Sequence, residues 1–487
     1  MSFALVKSTL QTSEAQALNW RMSLDAWAED QRMMADKVAL FRRYAEGDHD
    51  AELTTEMAAL LRVRSSTSST LDRFNDNYMD IIIQTEADRL VVDHIDADSD
   101  AANQWITELL TANRLDGMQA NVHEAALRDG STFVMASWDE TERRVKLTHE
   151  PAYDGVSGMM FVPSPTGEVL IAIKIWQETQ ERIGDTTRVN VYYPDHVEKY
   201  VGMHGGGLRP VEDGDTGRFP WTWRNGPIGM PVIHFPNRGS TYSPHGLSEI
   251  ENAIPLQNAL NRTLTSMVAT AEMTGFGLRF AVGWDPPPKI APGMWIKISK
   301  DRPLNSDEKI DIGMMEQGEI VPYIQQAEWL TAEMGKITRT PAPEFMGSSA
   351  SSGEALKQRE IGLLGKVQRF QVKAGNCWED VIKLAWRVQA AFGSTPPELG
   401  TVNCIWKPGE VRNDTEVIAN AQVLAEMGFV EEALRQMAPV FEWDEKKIQA
   451  LIDEKNAGMV NRLGMLTGLN NQPNFENFAA PVEIPAA

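Results

Sequence analysis

The stretches with the most chemical potential are few and short. His123-Glu124-Ala125-Ala126-Leu127 begins like a zinc-protease helix, in which two histidines one turn apart hold the metal and the glutamate is the base. The second histidine would fall at position 127, which is leucine, so the motif fails and His123 reads as a helix-surface or partly buried side chain. Gly362-Leu363-Leu364-Gly365-Lys366-Val367 has the look of a phosphate-binding loop. It lacks the first glycine, carries valine where a hydroxyl must reach magnesium, and lies inside a helical pattern. Asp48-His49-Asp50 could offer metal ligands, but it has no partner pair at a readable spacing and reads as a solvated turn. No Gly-x-Ser-x-Gly elbow occurs, and acidic pairs such as Glu431-Glu432 read as solvated helix faces. No catalytic, cofactor-binding or metal-binding residue is assigned, and no cofactor is expected. An active site scattered in sequence would leave no such trace, so absent motifs alone do not exclude an enzyme.

The bulk properties narrow the classes further. Two cysteines, Cys377 and Cys404, exclude a secreted disulfide framework and all but exclude a thiolate metal cluster. The 68 acidic residues outnumber the 46 Lys and Arg, for a formal net charge of −22. Sequence-independent DNA affinity needs cations that displace phosphate counterions, so tight DNA binding is not expected. Net charge on this scale serves solubility, and it would also suit a surface that DNA slides past. A chain of 487 residues should form two to four regions. Fourteen tryptophans favour large packed cores or subunit contacts. The N-terminus lacks a signal peptide's apolar run, and no stretch reaches the ~18–20 apolar residues of a membrane helix. The expected compartment is a reducing cytoplasm, with no membrane partner.

The elements that must position any site follow from periodicity. Residues 1 to about 60 read as helical and amphipathic, with Trp20, Leu24, Trp27, Met34, Val38 and Phe41 at helical spacing on a helix that ends at Gly47. A polar loop spans 65–70, and an apolar helix runs from near Asn75 to Leu90. A helix pair over 100–130 breaks at Asn113-Arg114-Leu115-Asp116. Strands are predicted at 132–135, 145–147, 169–173 and 189–193, within a sheet-rich region to about 240 that includes a turn at Gly205-Gly206-Gly207. Residues 247–274 read as one helix that Pro255 kinks or restarts. An insert with Pro286-Pro287-Pro288 and a strand at 294–298 precedes a helix over 323–338. A Pro/Gly/Ser-rich loop at 340–353 leads into a long helix to about Phe392, about 60 Å if straight, with Gly362, Gly365 and Gly375 as kink points. A strand at 401–406, short helices and a Pro-rich tail complete the chain.

This helix, insert, helix, loop, long-helix order resembles the portal proteins of tailed bacteriophages, of the long-tailed type common in actinobacterial hosts. Three segments carry the resemblance most strongly: Gly229-Met230-Pro231-Val232-Ile233-His234-Phe235-Pro236-Asn237-Arg238; Gly246-Leu247-Ser248-Glu249-Ile250 through Leu256-Gln257-Asn258-Ala259-Leu260-Asn261-Arg262; and Ser352-Gly353-Glu354-Ala355-Leu356-Lys357 through Leu363 and Leu364 to Trp378. Tyr44, Gly47-Asp48-His49 and Asn113-Arg114-Leu115-Asp116 also fit. Together they span most of residues 40–455.

The resemblance implies an α+β portal fold: an α/β wing (1–245), a two-helix stem (246–275 and 322–339), a small α/β clip (276–321), a tunnel loop (340–353), a long kinked wing helix (354–394), and a wing strand with helical crown and disordered tail (395–487). It implies a ring of about twelve copies at one capsid vertex. Such a ring nucleates head assembly with major capsid and scaffolding proteins and docks the terminase large subunit, then a head-tail adaptor. It passes double-stranded DNA through its channel without sequence-specific binding. The tunnel loop would contribute Pro341, Pro343, Glu344, Phe345, Met346, Ser348 and Ser349, a small, apolar or hydroxylated surface on which Glu344 is the only charge. Lys336, Arg339 and Lys357 are candidate channel cations, with solvated helix residues or intersubunit ion pairs as the competing roles. Lys297, Lys300, Asp301 and Arg302 are candidate docking residues of the clip. Another capsid-assembly protein and a DNA-acting hydrolase with scattered acids are the rival readings.

Overall fold

A computed structural model describes residues 24–49, 76–164, 168–180, 184–203, 208–211, 218–223, 226–240, 244–275, 279–282, 311–314, 319–340 and 353–409, and then 414–438, 440–441, 443 and 445–456. The chain forms two compact units, Met1–Gly409 and Glu410–Ala487. The fold is α+β, as expected.

In the first unit, helix α1 (Leu24–Ala45) ends at Gly47, whose φ of 81° reverses the chain as the sequence predicts. Asn77 caps α2 (Tyr78–Ala87) by accepting from the Met79 amide. Strand β1 (Val92–Ala97) leads to the helix pair α3 (Asp100–Ala112) and α4 (Leu115–Asp129), which break at Arg114 in the left-handed region. Asn113 holds this break against the next hairpin: it donates to the Val145 carbonyl (3.1 Å) and accepts from the Leu147 amide (2.8 Å).

All four predicted strands are present. They lie in β2 (Ser131–Asp139), β3 (Arg144–Pro151), β5 (Val169–Gln180) and β6 (Gly184–Tyr192), accompanied by β4 (Gly158–Pro163), β7 (His196–Met203), β8 (Arg209–Pro210), β9 (Arg218–Pro220), β10 (Thr222–Trp223), β11 (Gly226–Pro227) and β12 (Val232–Pro236). One antiparallel sheet has the order β4-β5-β6-β7-β8, with β9 also on β7; a second has the order β12-β2-β3. Ile171, Ile173 and Ile175 alternate along β5 into a core with Trp27, while Ala172 on the opposite face joins Phe133 and Phe161. The small sheet thereby brings β12 alongside β2, with Ile233 opposite Val134.

Helix α5 (Ile254–Gly275) differs from the reading of one helix over 247–274. Residues 247–253 are non-helical, ending in a turn at 251–253, and the helix starts seven residues late. Pro255 sits in its first turn, where the absent N–H has no intrahelical partner to lose, so the proline begins the helix. Of the insert, β13 (Arg279–Val282) pairs antiparallel with β14 (Asp311–Met314). The predicted strand at 294–298, the triple proline, the 65–70 loop, the 205–207 turn and the tail lie outside the described residues. Helix α6 (Val321–Thr338) and helix α7 (Gly353–Phe392) match expectation within two residues at each end. Helical structure in α7 runs without interruption through Gly362, Gly365 and Gly375. Its apolar stripe of Leu363, Val367, Phe370, Ala374, Trp378, Val381 and Ala385 recurs at helical spacing and forms the spine of the main core. Strand β15 (Val402–Trp406) pairs with β1, a long-range closure that sequence spacing does not reveal.

The second unit contains α8 (Asp414–Glu426), α9 (Val430–Met437) and α10 (Glu445–Asn456). Leu434, Ala438, Ile448 and Ile452 form its core, and Glu431 and Glu432 lie exposed in the first turn of α9.

Candidate functional site

The segments singled out by resemblance converge in space, and their polar residues are the joints. Asn237, buried just past the end of β12, donates its backbone amide to the Gly130 carbonyl (2.9 Å) and accepts at its own carbonyl from the Leu247 amide (2.8 Å). Its side-chain amide donates to the Leu247 carbonyl and to Glu249 Oε1, both at 2.8 Å. The first two segments are thereby stitched together. Gly246 has φ 73°, and a Cβ there would overlap the Gly130 carbonyl, so this crossing admits no side chain.

A second joint ties α5 to α1 and α2. Tyr44 donates to Asn258 Oδ1 (2.8 Å), and Asn261 donates to His49 Nδ1 (2.8 Å) while His49 Nε2 meets the Tyr44 carbonyl (2.9 Å). Gln257, fully buried, donates to the Asp76 carbonyl (2.6 Å) and accepts from the Tyr78 amide (3.2 Å). His49 is therefore a buried strut and not part of a solvated turn: the Asn261 amide and the Tyr44 carbonyl together satisfy both its ring nitrogens.

The third joint is a buried charge cluster at the meeting point of α2, α6, α7 and the lead-in to α5. Lys366 Nζ lies 2.8 Å from Glu86 Oε2 and 2.7 Å from Glu249 Oε2, and it donates to the Thr338 carbonyl at 2.9 Å. The ammonium thus has two carboxylates and one carbonyl within 3 Å. Glu249 takes a second cation, Arg238 Nε at 3.0 Å, and Arg238 also donates to the Ser248 carbonyl. Glu86 and Glu249 are both almost fully buried. Burial raises the Glu86 carboxyl to about 7, and the Glu249 charge adds to this against the pull of Lys366. Thr338 ends α6, so Lys366 also supplies a cation to that helix's C-terminal carbonyls.

His123 is fully buried, which corrects the surface or partly buried reading. Its Nδ1 meets the Leu90 carbonyl (2.8 Å), and its Nε2 accepts from the Trp378 indole (3.0 Å). Burial holds it down to about 4, so it is neutral and serves as a two-sided strut between α4 and α7. Cys377 and Cys404 are free, with burial pushing both thiols up to about 12. Among the described residues, no group of three or more His, Cys, Asp or Glu could hold a metal ion. Likewise, no described helix is long and apolar enough to cross a membrane.

Of the predicted site residues, Lys336 is exposed on α6 and paired to Glu333 one turn earlier. Arg339 is exposed at the end of α6 in the left-handed conformation, φ 58°. Lys357 lies in the second turn of α7, its side chain outside the description. Pro341, Pro343, Glu344, Phe345, Met346, Ser348 and Ser349 lie outside the described residues, as do Lys297, Lys300, Asp301 and Arg302. Sequence reasoning missed Lys366, although a signal was present: at the spacing of Leu363, Val367 and Phe370, position 366 falls on the edge of the apolar stripe. A lysine there must find buried acceptors.

Comparison with known proteins bears on this arrangement. The family described as "Phage portal protein, SPP1 Gp6-like" matches residues 28–459. The chain is 24% identical over 251 residues to the portal protein of Mycobacterium phage L5, which covers 46% of this chain and 51% of the relative. It is 25% identical over 197 residues to the portal protein of Mycobacterium phage D29, covering 38% and 40%. The chain thus spans about half the length of the curated relatives it matches. Solved structures with a similar chain include the virion of a native gene transfer agent particle (TM-score 0.39, 13% identity, 80% of this chain and 94% of that one) and the neck of an empty particle of the same agent (TM-score 0.40, 13% identity, 77% and 90%). With the family matched from α1 to past α10, the chain belongs to the SPP1 Gp6-like phage portal proteins.

Proposed function

We propose that this chain assembles into a closed ring of about twelve copies at one capsid vertex, where it forms the channel for DNA packaging and ejection. Family membership supports the portal role. The observation that carries the residue-level reading is the Lys366 joint. It clamps the last turn of α6, immediately before the 340–353 loop, to the helix that follows the loop. A loop meant to touch moving DNA needs a frame that does not move, and buried polar contacts from Glu86, Glu249 and Thr338 supply one.

In this reading residues 1–245 build the wing, 246–275 and 322–339 the stem, 276–321 the clip, 354–394 the long helix, and 395–487 the wing strand, crown and tail. Phe345 and Met346 face the channel axis or the neighbouring loop. The ring nucleates head assembly with the major capsid and scaffolding proteins in the host cytoplasm and remains in the virion. The chain is a conduit and not an enzyme. The clip docks the terminase large subunit and later the head-tail adaptor through Lys297, Lys300, Asp301 and Arg302.

The test has two parts. Negative-stain images of the purified chain should show rings with an open axial hole; a stable monomer at micromolar concentration would overturn the reading. Deleting 280–318 should leave the wing folded and abolish binding of both the packaging motor and the adaptor. Unchanged binding of both would overturn the clip assignment.

A further inference from the structure

Two helices each carry an exposed apolar face that no described element covers. On α7, positions 361, 365, 368 and 372 recur at four, seven and eleven residues and so share one face. Ile361 is 65% exposed and Val372 is 68% exposed. Between them lies Gly365, in the interior of a helix, where glycine is less favourable than alanine. Among the described residues nothing explains this glycine: a Cβ there would meet none of their atoms within 4 Å. Gly365 opens onto a groove of about 740 Å³ that is also lined by Arg238, Arg369, Phe370, Val372 and Lys373. Arg369 is exposed and among the described residues has no ion-pair partner.

On α6, the face turned away from buried Leu330 and Met334 carries Trp329, 58% exposed, and Val321, 59% exposed. Beside Trp329, Glu328 is exposed and likewise without an ion-pair partner among the described residues. One chain therefore presents an apolar, glycine-notched face with a free guanidinium, and a second apolar face with a free carboxylate.

A ring of more than two copies closes only if each chain carries two different, mutually complementary surfaces. Resting on the ring reading above, we infer that these are a matched pair: the Glu328–Trp329 face of α6 on one copy docks against the α7 face of the adjacent copy. Gly365 allows the close approach, the indole covers the exposed Ile361 and Val372, and Arg369 receives Glu328. Tryptophan and arginine are the side chains that most often dominate such contacts. A symmetric pairing of two α7 faces would instead bring two Arg369 charges together.

The experiment uses the full-length chain and native mass measurement. Gly365→Leu fills open space, so the subunit should keep its fold by circular dichroism and lose ring closure. Trp329→Ala should raise the concentration at half-assembly roughly thirtyfold, the effect of removing an aromatic anchor. Glu328→Arg and Arg369→Glu should each break rings, and the double variant should restore them. In an otherwise wild-type ring, the pair Glu328→Cys and Arg369→Cys should give a covalent ladder extending beyond the dimer. Intact rings for Gly365→Leu and for both single charge reversals would overturn the inference while leaving the ring reading in place, and so would covalent dimers from Arg369→Cys alone. A wild-type chain that forms no ring would remove the ring reading and this inference with it.

Discussion

Lys366 donates to the carbonyl oxygen of Thr338 at 2.9 Å, joining the end of one long helix to the interior of the next. The same ammonium neutralises Glu86 and Glu249, so one side chain connects four separate segments of the chain.

Removing that charge should be costly. Lys366→Met leaves Glu86 buried without its cation, whereas Glu249 keeps Arg238. We expect a loss of about 3–5 kcal/mol in chemical denaturation. Adding Glu86→Gln should recover most of it, since the amide has neither a charge to bury nor a proton to take up. Equal stability of Lys366→Met and wild type would show that the cluster contributes nothing.

The same cluster sets a pH dependence. Glu86 is raised in the folded state to about 7, from an ordinary value of 4.5. The folded chain therefore holds a proton that the unfolded chain has released. Its contribution is fully present below about 4.5 and is lost as pH rises through about 7. The stability difference between wild type and Glu86→Gln should accordingly grow in disfavour of wild type from pH 5 to pH 8.

Three histidines act in the opposite direction. Burial lowers His123 and His149 to about 4 and His234 to about 3. Each contributes stability above its ordinary 6.5 that is lost as pH falls from 6.5 toward the folded value. Thermal scans should show acid destabilisation in that window. A His123→Asn variant, less stable at neutral pH, should show a shallower acid slope.

At the crossing of the first two segments, Asn237→Ala removes two side-chain donors from buried acceptors and should cost about 1–3 kcal/mol. Gly246→Ala should be worse, because it meets both a left-handed backbone and the Gly130 carbonyl. Soluble yield and denaturation midpoint should rank wild type above Asn237→Ala above Gly246→Ala.

For the loop, shortening 343–350 should leave rings intact and impair genome packaging or retention. Replacing Phe345 and Met346 by Lys should slow translocation, because added cations grip the phosphate backbone. Normal packaged length and normal rate in both variants would separate this loop from DNA contact.

Much of the chain was legible without coordinates. Helical spacing marked α6 and α7 to within two residues, because a long amphipathic stripe leaves many positions that must agree. The stop at Gly47 and the break at Arg114 followed from local backbone chemistry. The order of these elements was enough to suggest the portal family. Other features were decided only by the tertiary structure. Pro255 reads equally as a kink or a restart, and the choice went to a start because the chain before it is non-helical, with Leu247 bonded to Asn237 and the Glu249 amide to the Leu127 carbonyl. His49 reads as part of a solvated turn and His123 as a helix-surface or partly buried side chain, since nothing nearby in sequence shows that Asn261 or Trp378 will close over them. Lys366 shows only as a charge on an apolar stripe. Its acceptors lie on three other elements, and a charge becomes a joint only when distant carboxylates are desolvated beside it.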